Sequence, residues 1–207
     1  MAKFINGING PIKGKVGTVI GSSRNGVPYV KGPYKRRTKK VSKQELTNRT
    51  KFANIQYWLK PLLVFLKVGF KGYNLPKSEG FVSARSFLSK NAVDGVHINP
   101  ALVQVSYGDL PLPDSIAVGL VDNNHLQFTW DTQVVSGANR SDQVMLLAYD
   151  IEGKDPYFTV TGQFRRVGSD TLQISPQTGK SYHLYFAFVA ADRSRQSHSV
   201  YLGTIEH

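Results

Sequence analysis

The side chains with the most evident chemistry are cations. Lys35-Arg36-Arg37-Thr38-Lys39-Lys40 is followed closely by Lys43, which puts six basic residues into the nine from 35 to 43. Such side chains break no bonds. They neutralise anions, and along a phosphate backbone each ion pair releases a condensed counterion, which gives affinity without reading sequence. Lys13, Lys15, Arg24 and Lys31 precede this run and Arg49 follows it. The candidate contact set is therefore Lys13, Lys15, Arg24, Lys31, Lys35, Arg36, Arg37, Lys39, Lys40, Lys43 and Arg49. Two occupants stay open for it: a nucleic acid held through its phosphates, or a neighbouring subunit.

The residues that bond-making needs are missing or scattered. There is no cysteine, which excludes disulfides, thiolate metal sites and a cysteine nucleophile. His97, His125, His183 and His198 are dispersed, with no pair at metal-ligand spacing. Asp150, Glu152 and Asp155 cluster, but match no calcium-loop spacing and read as a solvated turn between strands. Gly179-Lys180-Ser181 ends like a phosphate-binding loop, yet Ile174 stands where its leading glycine would be. The expectation is a non-enzymatic protein with no catalytic residue, cofactor or metal.

Charge is segregated along the chain. The 207 residues carry a formal net charge of +12. Residues 1–90 hold fourteen Lys and five Arg against Glu45 and Glu79, a net of +17, and residues 91–207 hold seven basic residues against twelve acids, a net of −5. Solubility alone does not require such sorting, so a basic working face carried by a more ordinary second half is expected.

The elements that must position these cations can be read in order. Residues 4–12 form an extended lead-in. Residues 15–20 and 27–31 are strand-like and flank Gly21-Ser-Ser-Arg-Asn-Gly26, whose Asn25-Gly26 suits a hairpin turn. Pro28 suits an edge position, and pairing would gather Lys15, Arg24 and Lys31 on the hairpin surface. Residues 32–41, opened by Gly-Pro, form an extended arm. Ser42 and Glu45 then make a capping box that opens a helix running to Pro61. Leu46, Ala53 and Tyr57 line one side, widened by Phe52, Ile55 and Leu59. Pro61 kinks this helix or starts a second one ending near Gly69. Tyr57, Trp58, Phe65 and Phe70, at helical spacing, read as core. A loop over residues 75–80, with a cap at Ser78, leads to a helix through Asn91 that turns Phe81, Ala84, Phe87 and Leu88 inward.

Beyond Pro100 the apolar period changes to two. Strands are expected at residues 103–107, 116–121, 125–130, 143–149, 157–166, 171–174, 182–190 and 198–202, with Gly, Pro, Asn and Asp between most of them. The fold class is α+β: an N-terminal hairpin plus a small helical layer, then a C-terminal antiparallel β-sandwich. The expected domains are residues 1–100, carrying the arm at 32–41, and residues 101–207. Leu126, Phe128 and Trp130 alternate as in the tryptophan-bearing strand of fibronectin type III and immunoglobulin-like domains, and Leu172-x-Ile174-x-Pro176-x-x-Gly179-x-x-Tyr182-x-Leu184-x-Phe186 is similar to their tyrosine-corner strand. This resemblance spans residues 115–205 and implies fold alone.

The front half also resembles a known family. Gly14-Lys-Val-Gly-Thr-Val-Ile-Gly, Tyr29-Val-Lys, Lys35-Arg36 and residues 44–52 are similar to the opening of an uncharacterised family typical of Bacteroidota, about this long, that ends in a comparable β-domain. The resemblance carries no activity and no catalytic residue. The expected function is a self-assembling structural subunit, for example of a shell, tube or filament of a virus-like or mobile-element particle, whose basic half contacts nucleic acid or neighbouring subunits. The alternative is a nonspecific nucleic-acid-binding module with an accessory sandwich. The partners expected are further copies of the chain, as a homo-oligomer, and DNA or RNA. The longest apolar run, residues 62–66, is too short to span a bilayer, and the N-terminus has no apolar stretch of signal-peptide length; the expected location is cytoplasmic.

Overall fold

The computed structural model describes residues 3–4, 10–24, 26–73, 80–122, 124–133, 135–175 and 179–206. The expected turn residue Asn25, the cap at Ser78 with most of its loop, much of the lead-in and Pro176 lie outside these residues. The chain divides into two units, Met1–Ser42 and Lys43–His207.

Met1–Ser42 is built on an antiparallel meander of β1 (Lys3–Phe4), β2 (Ile12–Val16), β3 (Val19–Arg24) and β4 (Val27–Lys31), paired in that order. The expected strand over residues 15–20 is instead two strands. Gly17 and Thr18 turn the chain between Val16 and Val19, with Gly17 at φ +52°, a conformation that costs a residue without Cβ little. The stretch after Ile20, expected as loop, belongs to β3. Gly21 faces the Ile12 carbonyl so closely that a Cβ would collide with its oxygen, so only glycine fits there. β4 is an edge strand, the place Pro28 favours. Residues 32–41 follow with no helix or strand and are exposed except for Val41, which is half-buried.

Lys43–His207 opens with helix α1 (Lys43–Leu59), a 3-10 turn at Lys60–Leu62, α2 (Leu63–Gly69) and α3 (Gly80–Asn91). A two-residue hairpin, β5 (Val93–Asp94) with β6 (His97–Ile98), and a 3-10 turn at Pro100–Leu102 follow. Then come β7 (Ile116–Asp122), β8 (His125–Trp130), β9 (Gln143–Asp150), β10 (Asp155–Thr159), β11 (Ser169–Gln173), β12 (Ser181–Val189) and β13 (Val200–Glu206). These seven strands form two antiparallel sheets, β10-β9-β12-β13 and β11-β8-β7.

The packing follows from side-chain alternation. Leu126, Phe128 and Trp130 of β8 meet Val144, Leu146 and Ala148 of β9 and Leu184, Phe186 and Phe188 of β12 in a core between the sheets. The intervening residues Met145, Leu147, Tyr149, Tyr185, Ala187 and Val189 point the other way, into a second core with Ile55, Leu59, Leu62, Phe65, Leu66 and Leu88. Each fully buried aliphatic or Phe side chain contributes about 2 kcal/mol of transfer free energy. The ring of Trp58 meets Tyr149 edge-on at 5.2 Å, and Tyr149 Oη donates to the Trp58 carbonyl at 3.0 Å. The result is three layers: helices, four-stranded sheet, three-stranded sheet. The helices share a core with the sandwich, so the chain does not divide near residue 100 as expected.

Helix α1 buries only one flank of the wide apolar face expected. Ile55, Trp58 and Leu59, with Leu62 beyond, are buried at helical spacing, while Leu46, Ala53 and Tyr57 face solvent. Phe52, one turn before Ile55 on the same side, is exposed. Residues 103–107 pair with no strand. Val103 and Val105 alternate because they enter the helix-side core, and the backbone there is satisfied locally: Val105 N donates to Ser199 Oγ and Tyr107 N to the Gly69 carbonyl. The expected strand over residues 157–166 ends at Thr159, leaving one bridge between Gln143 and Phe164 and a 3-10 turn at Arg165–Val167.

Two polar devices sit at the sandwich core. Tyr182 Oη donates to the Ser175 carbonyl at 2.8 Å, the tyrosine-corner bond. Arg165 is fully buried, its guanidinium 3.9 Å from the Phe188 ring centroid. Its Nη2 donates to the Pro111 carbonyl at 2.6 Å and its Nε lies 3.4 Å from Asp142 Oδ2, while Nε and Nη1 make no hydrogen bond. Asp142→Ala is expected to cost about 3–5 kcal/mol in urea unfolding, because it strands a buried charge, and adding Arg165→Met should recover most of that loss; a double variant as unstable as the single one would show that the pair itself stabilises the fold. Tyr182→Phe is expected to cost about 1 kcal/mol in the same assay with an unchanged m-value.

Candidate functional site

The meander sets the first group of cations. Lys15 pairs with Ile20 and Ile20 with Lys31, while Arg24 lies four residues along β3 from Ile20. Residues directly opposite, and residues an even number apart, share a face of a sheet. Lys15, Arg24 and Lys31 therefore project from one face together with Tyr29, and Val16, Val19 and Val30 project from the other. Strand spacing places the Lys15 and Lys31 backbones about 10 Å apart and Arg24 about 13 Å from Ile20 along β3. These separations are near one Debye length at physiological salt, so each charge acts nearly alone. Lys13 lies beyond Gly14, where φ is +109° and pairing with β3 stops.

The arm supplies the second group. Lys35, Arg36, Lys39 and Lys40 are exposed. Arg37 is used differently: its Nε donates to the Lys39 carbonyl at 2.9 Å and its Nη2 to the Lys40 carbonyl at 3.4 Å, so it braces the arm it belongs to. Lys43 is exposed in the first turn of α1. Arg49, one turn after Glu45, is ion-paired to it at 2.7 Å. Of the eleven candidates, Lys15, Arg24 and Lys31 are gathered on one face and four more lie along the arm, while Arg37 and Arg49 are engaged within the chain.

Several of the groups set aside in the sequence have structural partners. Asp150 Oδ1 accepts the Gly153 amide, and Lys180 Nζ lies 3.5 Å from Asp150 and 3.6 Å from Asp155, which ties the β9–β10 turn to the start of β12. His125 Nδ1 lies 2.9 Å from Asp122, and His183 Nδ1 lies 2.9 Å from Tyr201 Oη. Trp58, Phe65 and Phe70 are buried as expected; Tyr57 is exposed, with the Lys154 ammonium over its ring. Among the described residues no group of three His, Asp or Glu is placed to hold a metal ion, and no helix is long and apolar enough to cross a membrane.

Two concavities escaped the sequence reading. A hollow of about 950 Å³ is lined by Tyr73, Tyr107, His198 and the Asp109–Arg195 ion pair. The hydrogen bond from Arg195 holds the Asp109 carboxyl below the usual carboxylate range, and Gln196 Nε2 donates to the carbonyls of Lys71 and Tyr107. A groove of about 520 Å³ runs between α1 and α3, with Lys51, Phe52, Arg85 and Lys90 among its walls. Its signal was present in the sequence as two stripes at helical spacing, each mixing cations with apolar residues.

No curated protein matches the chain. Among solved structures, the fn3 domain of human collagen alpha-1(XX) chain is similar at 15% identity over 47% of this chain and 84% of that one, with a TM-score of 0.36. A family model matches residues 11–203, from just before β2 into β13. The chain belongs to the family of unknown function DUF6266.

Proposed function

We propose that this is a non-enzymatic binding and assembly protein whose Met1–Ser42 unit engages a polyanion, DNA or RNA, through phosphate contacts. One observation carries the reading: that unit holds ten Lys and Arg and no acid. A unit so composed cannot neutralise itself with internal ion pairs, so its cations are left to solvent counterions, which a polyanion can displace. The lack of regular structure over residues 32–41 suits an arm that follows a backbone; sequence reading would need base-edge contacts from a helix or strand set in a groove.

A second reading, self-association into a homo-oligomer, draws on the opposite face of the meander. Val16, Val19 and Val30 are exposed there, beside the open edge of β4. An apolar face next to an unpaired edge favours contact with another copy. A particle subunit that also packages nucleic acid would use both faces.

Binding to duplex DNA with the four exposed arm cations engaged should show a steep salt dependence, with affinity falling roughly 100-fold between 50 and 200 mM salt. Replacing Lys35, Arg36, Lys39 and Lys40 by Gln, with Arg37 retained, is expected to lower the slope of log affinity against log salt by about 3–4 and to leave the melting temperature unchanged. An unaltered slope in a folded variant would remove the arm from the interface. Light scattering on the parent chain separates the readings: a mass that rises only with added polynucleotide supports the first, and large regular particles from protein alone support the second.

A further inference from the structure

The groove between α1 and α3 is a second cationic surface, outside the Met1–Ser42 unit. On α1, Asn48, Lys51, Phe52 and Ile55 recur at i, i+3, i+4 and i+7; on α3, Val82, Arg85, Ser86 and Ser89 do the same, with Lys90 next. That spacing aligns each set along one helix face. Ile55 is buried and Phe52 is 51% exposed. The Arg85 guanidinium carbon lies 4.9 Å from the Phe52 ring centroid. Among the described residues, three cations and three polar side chains line the groove and no acid does. The acid on α1, Glu45, is already paired to Arg49, and α3 has none.

We infer that this groove binds single-stranded nucleic acid, with a base stacked on the Phe52–Arg85 platform and phosphates on Lys51 and Lys90. An exposed aromatic ring under a guanidinium is a flat, cationic surface, and every base has a π-face to lay on it. The flanking ammonium groups supply the sequence-independent attraction to the backbone. Asn48, Ser86 and Ser89 add short polar groups able to meet base or sugar atoms. A duplex is disfavoured because its bases are stacked on one another and its width exceeds a cleft between two helices. An acidic peptide would satisfy the cations but has no π-face for the platform. The inference is independent of the arm, since none of its residues lies in Met1–Ser42.

The test uses the full chain carrying Phe52→Trp. Trp58 and Trp130 are each only 6% exposed, so the introduced indole reports the groove. Three probes are compared at low salt: oligo(dT), a blunt duplex of equal length, and poly-L-glutamate. Saturable quenching by oligo(dT) alone is expected, and it should persist when Lys35, Arg36, Lys39 and Lys40 are also Gln. In the otherwise native chain, Phe52→Ala is expected to weaken oligo(dT) binding roughly tenfold while changing duplex affinity much less. Absence of quenching by oligo(dT), or equal quenching by poly-L-glutamate, overturns the inference, the latter assigning the groove to acidic peptides. Failure of the arm reading shows instead as an unaltered salt slope, so the two results are separable.

Discussion

Strands β9 and β12 bury both of their faces, and most of the larger unit follows from that constraint. A strand with apolar side chains on alternate sides must be covered twice. On one side β8 and β11 supply Leu126, Phe128, Trp130 and Leu172; on the other the helices supply Ile55, Leu59, Leu62 and Phe65. Neither cover is optional. The helices therefore act as a third layer over a sandwich, and the segment over residues 103–107 is drawn into the seam through Val103 and Val105.

Charge divides along the same boundary as the contacts. Met1–Ser42 holds ten cations and no acid; Lys43–His207 holds the other sixteen against all fourteen acids, a net of +2. The larger unit can pair its charges internally, as Arg165 with Asp142 and Lys180 with Asp150 do. The smaller has no such option, and Arg37 turns to backbone carbonyls instead. Among the described residues of that unit only Gly21 is buried. Its shape rests on backbone pairing and turn chemistry more than on a core, in keeping with the limits on small chains.

The sandwich was legible because β8 alternates cleanly, burying Leu126, Phe128 and Trp130 and exposing Gln127 and Thr129, and because Tyr182 sits where a corner bond forms. The third layer was not, although β9 announced it. Val144-Met-Leu-Leu-Ala-Tyr149 is an unbroken apolar run, the mark of a strand covered on both faces; reading it as one more sandwich strand left the helices without a place to pack. On α1 the expected face was centred on Leu46, Ala53 and Tyr57 with Ile55 and Leu59 on its flank, whereas the flank is what is buried, since composition alone does not say which part of a wide face meets the sheet. The turn at Gly17-Thr18 was read through because Val16 precedes it and Val19-Ile20 follows it. Cations were identifiable by type. Their partners were not, since the ties of Arg37 and Arg49 depend on helix and arm geometry.

From residue 43 to 54, α1 buries no side chain. A helix of three turns has little stability of its own in water, so this stretch owes its order to the remainder of α1 and to its neighbour α3. Local opening there needs far less free energy than opening β9, whose ladder bonds are covered from both sides. The protein thus carries a gradient of persistence along one continuous helix: amides before Ile55 trade hydrogen with solvent early and those beyond it late. Any molecule that settled on the early part would be felt first as a slowing of that exchange.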